Sequence, residues 1–263
     1  VFHVTEEFVV EGINETRRPD IVLFVNGIPL VVIENKRRDK AGATQEAISQ
    51  MIRNQRTEEG IPKLFYYAQL LLAVQPDEVM YATTNTPLKF WATWKEQVDV
   101  EEKVAKLLQS KQKAPAENRL PTEQDRILYC LCSPERVMEF TEKFILFDGQ
   151  IKKVARYQQY FAVKNALKRV KTIDNEGKRK GGVIWHTQGS GKSLTMVLLA
   201  KSIILDSSIK NPRIVVVTDR VELDNQIHKT FEQCGKSPIK AASGNHLLEL
   251  IQESNVDIIT TII

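Results

Sequence analysis

Three residues near the start of the chain, Asp20, Glu34 and Lys36, have the types and spacing that phosphodiester hydrolysis demands. That reaction needs carboxylates to hold one or two Mg²⁺ ions and a cation to steady the attacking hydroxide or the crowded phosphorane. Asp20 and Glu34 are the candidate metal ligands and Lys36 the candidate cation. Glu34 and Lys36 stand two apart, so on a strand their side chains leave the same face. Glu34 also closes an apolar run from Ile28 to Ile33, where an acid is costly to bury unless it has a task. Arg17, Arg18, Arg37 and Arg38 flank the set with cations suited to a nucleic-acid backbone. Gln50, in the helix expected to follow, is a candidate further polar contact.

A second constellation lies at 186–193, reading His-Thr-Gln-Gly-Ser-Gly-Lys-Ser. A phosphate-binding loop needs backbone N–H groups converging at a helix N-terminus, a lysine reaching the β and γ oxygens, and a hydroxyl for Mg²⁺. Gly189, Ser190, Gly191, Lys192 and Ser193 supply these, so ATP is the expected ligand. His186 stands where the general pattern has glycine, at the position that starts the turn and does not approach the phosphates. Upstream, Gln159 resembles the glutamine motif of superfamily 2 helicases, whose amide reads the adenine edge, with Gln158 the alternative. Downstream, Thr218, Asp219 and Arg220 end a strand where that family places its motif Ia, making Arg220 a candidate phosphate contact. Hydrolysis would also need an acidic strand end to hold Mg²⁺ and polarise water. No Asp-Glu pair follows an apolar strand before Ile263, so this stretch by itself is expected to bind ATP weakly and not to hydrolyse it.

Positioning the three hairpin residues is a matter of register. Ile21 to Val25 and Ile28 to Ile33 read as a hairpin about Asn26 and Gly27. A strict two-residue loop with regular pairing puts Asp20 opposite Ile33, on the wrong face from Glu34. An odd loop or a bulge restores a common face, and one of the two is therefore expected. Beyond the hairpin, the pattern predicts a helix from about Thr44 to Asn54, a buried helix over 64–74, a strand over 78–83, a loop over 109–119, and a helix over 133–146 ending in the turn residues Asp148 and Gly149. A domain boundary is placed near 150. After it comes a β–α–β–α–β rhythm: a strand at 183–185, a helix from Lys192 to about Leu205, a strand over 213–218, helices over 221–233 and 245–253, and a strand over 257–260. Such alternation means a parallel sheet covered by helices.

With 263 residues, 42% apolar and 27% charged, the chain has room for two domains with their own cores. A net charge of +4 permits nucleic-acid binding without demonstrating it. Cys130, Cys132 and Cys234 are odd in number and lack zinc spacing, which points to free thiols in a reducing compartment, hence the cytoplasm. No apolar run approaches the roughly 18 residues of a membrane span, and no membrane partner is expected. The start at Val1 and the strand-like end at Ile263 suggest a piece of something larger.

Taken together, Glu11 and Gly12, the stretch from Arg17 to Lys36, Phe90 to Trp94, Tyr157 to Tyr160 and Trp185 to Ser193 resemble the restriction (motor and endonuclease) subunit of type I restriction–modification systems. That resemblance implies an α/β chain with a PD-(D/E)XK nuclease domain over 1–150, followed by an incomplete RecA-like superfamily 2 helicase lobe over 151–263. It implies Mg²⁺ on Asp20 and Glu34, Lys36 as the catalytic lysine, and ATP on Gly189 to Ser193. The implied function is ATP-driven translocation and Mg²⁺-dependent cleavage of foreign, unmodified double-stranded DNA, with methyltransferase and specificity subunits as partners. The alternatives are a repair helicase–nuclease acting at DNA ends and a non-catalytic nucleotide-binding scaffold. One departure is that the family's Gln-Xaa-Xaa-Xaa-Tyr element after the lysine reads Gln50 to Asn54 here, which puts the tyrosine's role in doubt.

Overall fold

The computed structural model describes residues 1–39, 42–97, 99–111, 119–253 and 255–263. The chain is a mixed α/β structure in two units, Val1–Ile145 with Lys152–Tyr157 and Leu146–Ile151 with Gln158–Ile263. Residue 150 thus falls in the stretch where the two units interleave along the sequence.

The first unit runs β1 (Phe2–Glu6), β2 (Val10–Glu11), β3 (Thr16–Arg17), β4 (Ile21–Val25), β5 (Ile28–Asn35), α1 (Ala43–Asn54), α2 (Pro62–Phe65), β6 (Leu70–Gln75), β7 (Glu78–Ala82), β8 (Ala92–Thr93), α3 (Glu101–Lys111), α4 (Glu123–Leu131) and α5 (Pro134–Glu139). A six-stranded sheet in the order β1-β4-β5-β6-β7-β8 organises it. Only β5 and β6 are parallel, and they are the central pair. Their near-continuous Val, Leu and Ile content follows from burial on both faces. On one face, Val22, Val32, Leu71 and Ala73 pack against Ala47, Ile48 and Met51 of α1. On the other, Tyr81 and Trp94 stack edge to face at 5.8 Å, and Trp94 meets Phe140 at 5.6 Å. Each large apolar side chain buried in this way contributes on the order of 1.5–3 kcal/mol.

Two expectations change here. The apolar run over 64–74, expected as a buried helix, is instead the short α2 followed by the strand β6. An unbroken apolar run carries no period, and Leu70 to Val74 bury completely only as a central strand flanked on both sides. The helix expected over 133–146 stops sooner. α5 ends at Glu139, a π-helical turn covers Phe140–Phe144, and a strand begins at Ile145. Of the expected loop over 109–119, Gln109 to Lys111 belong to α3 and residues 112–118 lie outside the described residues.

Gly60 marks a close backbone approach. The amide of Ile61 donates to the Asn54 carbonyl at 2.8 Å, and a Cβ on Gly60 would stand 2.3 Å from that same oxygen. Gly60→Ala should therefore force backbone movement at the end of α1 and destabilise the chain by about 1–3 kcal/mol. An unchanged urea midpoint would show that this approach relaxes freely.

The chain passes through β9 (Ile145–Asp148) and β10 (Ile151–Val154) to the second unit: α6 (Tyr157–Lys171), α7 (Lys192–Ile204), β11 (Ile214–Thr218), α8 (Val221–Gln233), β12 (Ile239–Lys240), α9 (Gly244–Gln252) and β13 (Ile258–Ile262). Its sheet is parallel, in the order β11-β13-β12. The strand expected at 183–185 is not formed. Val183 and Trp185 are each 89% exposed and belong to no described strand. An extended apolar segment buries its side chains only between paired neighbours, and the described sheet does not take this one in.

Candidate active site

The hairpin between β4 and β5 solves the register problem with a bulge. Its turn is the two-residue Asn26-Gly27 loop, both residues at positive φ, with Val25 opposite Ile28. Pairing then slips between Leu23 and Phe24: Phe24 faces Pro29, but Leu23 faces Val31, leaving Leu30 as the extra residue. From there Ile21 pairs with Ile33, so one step further Asp20 stands across from Glu34. Of the two devices expected, the bulge is the one used.

The consequence is a polar cluster on the α1 face of the sheet. The Asn35 amide donates to Asp20 Oδ2 at 2.7 Å, tying the acid to the end of β5. Lys36 Nζ donates to Glu34 Oε1 at 2.8 Å and to Gln50 Oε1 at 2.8 Å. The Lys36 amide continues the ladder by donating to the Val74 carbonyl, which fixes where its side chain begins. Glu34 is 1% exposed, and its Oε2 has no hydrogen-bond partner. Burial pushes the Glu34 carboxyl up to about 7, with the charge of Asp20 pushing the same way, while Lys36 and Gln50 oppose the rise. Gln50, offered by the sequence as a further polar contact, is thus a direct partner of the lysine. Asn54 is buried at the C-terminal end of α1, where its backbone carbonyl receives Ile61.

The donor set suits Mg²⁺. Among the described residues no group of three or more His, Cys, Asp or Glu converges, and Mg²⁺ is commonly held by one or two carboxylates with water completing its shell. The unpartnered buried Oε2 of Glu34, with a second carboxylate beside it, is what such an ion would satisfy. The flanking cations are mostly engaged: Arg17 with Glu15, Arg18 with Glu7, and Arg38 in a two-pronged pair with Asp77.

At 186–193 the loop is folded on itself. Gly189 and Gly191 adopt φ of 77° and 80°, the left-handed region open to glycine, and Gly191 caps α7. Lys192 Nζ donates to the carbonyls of His186 at 3.0 Å and Thr187 at 2.9 Å, so its amine is held by the loop's own backbone. Ser190 also donates to the Thr187 carbonyl, and Ser193 lies half-buried in the first turn of α7. Gln159 is 6% exposed and donates to the Gly191 carbonyl at 3.2 Å, so it braces the loop from behind, while Gln158 is exposed. Arg220 is exposed at the start of α8, 3.7 Å from Asp219. No sequence signal singled out Asp224, which is fully buried in α8 with Lys240 Nζ 2.6 Å from its Oδ2.

The two constellations fall in stretches that match two known families. Residues 1–90 match the family described as type I restriction enzyme R protein N terminus, and residues 158–263 match the SWI2/SNF2 ATPase family. Along most of its length the chain is related to type I restriction enzyme endonuclease subunits. It is 36% identical over 232 residues to the HindI endonuclease subunit of Haemophilus influenzae, covering 85% of this chain and 20% of that protein. It is 31% identical over 262 residues to the putative MjaIXP endonuclease subunit of Methanocaldococcus jannaschii, covering 96% of this chain and 25% of that protein. The putative MjaVIIP subunit of the same organism is 33% identical over 255 residues, covering 92% of this chain and 22% of that protein. The chain therefore spans about a fifth to a quarter of the length of these relatives.

Proposed function

We propose that this chain supplies the DNA-cutting site and the first part of the ATP-driven motor of a type I restriction enzyme. In this reading residues 1–150 are a PD-(D/E)XK endonuclease domain and residues 151–263 part of the first RecA-like translocase lobe. Double-stranded DNA is the substrate, methyltransferase and specificity subunits are partners, and the cytoplasm is the location. No helix among the described residues is long and apolar enough to cross a membrane.

The observation that carries the reading is the bulge-set face on which Asp20, Glu34 and Lys36 meet. Asp20 and Glu34 would hold Mg²⁺, which when bound supplies Lewis-acid charge and an activated water. Lys36, fixed by Glu34 and Gln50, offers its ammonium to the negative charge that develops on the phosphate. The buried surroundings strengthen that attraction by excluding water. Gly189 to Ser193 would hold the ATP phosphates, with Lys192 leaving its two carbonyls to reach them. ATP there supplies the free energy for movement along DNA, and Gln159 keeps the Gly191 end of the loop in place.

The Mg²⁺ site is tested by thermal melting of the chain. Because the Glu34 carboxyl is raised from 4.5 to about 7 in the fold, its contribution is complete below pH 4.5 and is lost as pH rises through 7, a cost on the order of 3 kcal/mol. A divalent cation removes that cost by favouring the carboxylate. Mg²⁺ should therefore raise the melting temperature more at pH 8 than at pH 6, and Glu34→Gln should remove the difference. Equal Mg²⁺ increments in parent and variant would place the ion elsewhere.

A further inference from the structure

We propose that the end of α6 and the turn that follows it, residues 168–180, form a contact surface for the phosphate backbone of duplex DNA. The idea deepens the proposed function, resting on its assignment of duplex DNA as substrate, and adds a binding surface outside both constellations.

Between 164 and 180 the chain carries seven basic residues and two acidic ones. A run of charge is commonly just a solvated face, so what matters is which charges are already neutralised and how the rest are held. The acids are consumed locally. Asp174 Oδ1 accepts the amides of Glu176 and Lys178, building a tight turn through Gly177 at φ of 80°. Glu176 pairs with Lys178, and Asp206 takes Lys171. Lys168, Arg169, Arg179 and Lys180 are exposed, and none has a carboxylate within 4.0 Å among the described residues.

The two arginines are also pre-positioned. Arg169 Nε donates to the Gly181 carbonyl at 2.7 Å, and Arg179 Nη1 donates to the Val170 carbonyl at 2.8 Å. These bonds cross between the helix end and the returning chain, alongside the Ile173–Arg179 bridge and the Lys180 amide on the Thr172 carbonyl. Gly182 lets the backbone lie against Arg169, since a Cβ there would stand 3.1 Å from its Nε. Each guanidinium is thus fixed by one edge while the remaining N–H groups stay available. A planar donor fork held in place loses little freedom on meeting a phosphate. Two fixed guanidinium groups and two free ammonium groups on one small exposed turn match a repeating line of phosphates.

The test measures binding of a labelled 30-base-pair duplex by the chain, by fluorescence anisotropy over a range of NaCl, with EDTA and without nucleotide. Lys168 and Lys180 side chains make no hydrogen bond or ion pair among the described residues, so Lys168→Gln with Lys180→Gln should leave the fold intact. For every phosphate that a removed ammonium no longer neutralises, the slope of log K against log [NaCl] should become shallower by about 0.9, hence by about 2 for the pair. Lys210→Gln with Lys229→Gln removes the same charge from exposed positions elsewhere in the unit and should leave the slope near that of the parent. An unchanged slope in the first pair, an equal change in both pairs, or no duplex binding by the parent would each overturn the proposal. None of these results bears on the Mg²⁺ melting experiment, which judges the cutting site without DNA.

Discussion

On the proposed function, Lys36→Ala is expected to slow Mg²⁺-dependent DNA cleavage by the assembled complex by about 10²–10⁴-fold, the range typical of removing one positioned catalytic group. The lysine is the one cation within hydrogen-bonding distance of Glu34 among the described residues, 2.8 Å from Oε1, and it is held in place by Gln50 on the facing helix. Its side chain is 18% exposed and that of Glu34 2%, so the pair is largely withdrawn from solvent. Without the lysine the Glu34 carboxyl rises further and becomes more readily neutral, weakening the metal site as well. DNA binding and nucleotide binding should be unchanged. Cleavage at the parental rate would remove the cutting site from this face of the sheet.

The second large effect is on stability and lies in the other unit. Asp224 is fully buried, neither of its oxygens has a hydrogen bond of good geometry, and the ammonium of Lys240 approaches Oδ2 at 2.6 Å. Lys240 also donates to Asn225 Oδ1 at 3.0 Å. Lys240→Met leaves a buried carboxylate with no countercharge, a change that costs about 3–5 kcal/mol when both partners are buried. Because the Lys240 side chain is 41% exposed and partly screened, about 2–3 kcal/mol is expected. Adding Asp224→Leu should recover most of that deficit, since the charge being stranded is then gone. Urea denaturation followed by circular dichroism checks both variants. A Lys240→Met chain as stable as the parent would mean that Asp224 is accommodated without its lysine.

The parts legible in the sequence were those with a short-range cause. Asn26 and Gly27 announced the hairpin turn, and the two-residue spacing of Glu34 and Lys36 gave their common side. The geometric demand on Asp20 called for an irregularity, although the sequence did not say whether it would lie in the turn or the strand. Glycines at 189 and 191 before Lys192 marked the loop and the start of α7. What stayed illegible depended on neighbours distant in sequence. Leu70 to Val74 became a strand because β5 and β7 flank it. Val183 to Trp185 stayed unpaired for want of such flanking. Gln50 joined the site because α1 lies across the face that β5 presents, a packing choice that a solvated-looking glutamine does not advertise. The contact of Gln159 with the Gly191 carbonyl is likewise a matter of how α6 lies against the loop, which the sequence does not state.

The extra residue in β5 has a consequence for how this chain tolerates change. A pleated strand counts in twos, and Leu30 is the residue left out of that count where β5 meets β4. Losing that one extra residue would make the pairing regular from Ile28 onward and still leave Asp20 across from Glu34. Losing two would shift the pairing by one, set Asp20 across from Asn35 and bring the two acids out of phase. Removal of Leu30 alone should therefore leave the acids facing each other, whereas removal of two residues from the same stretch should separate them.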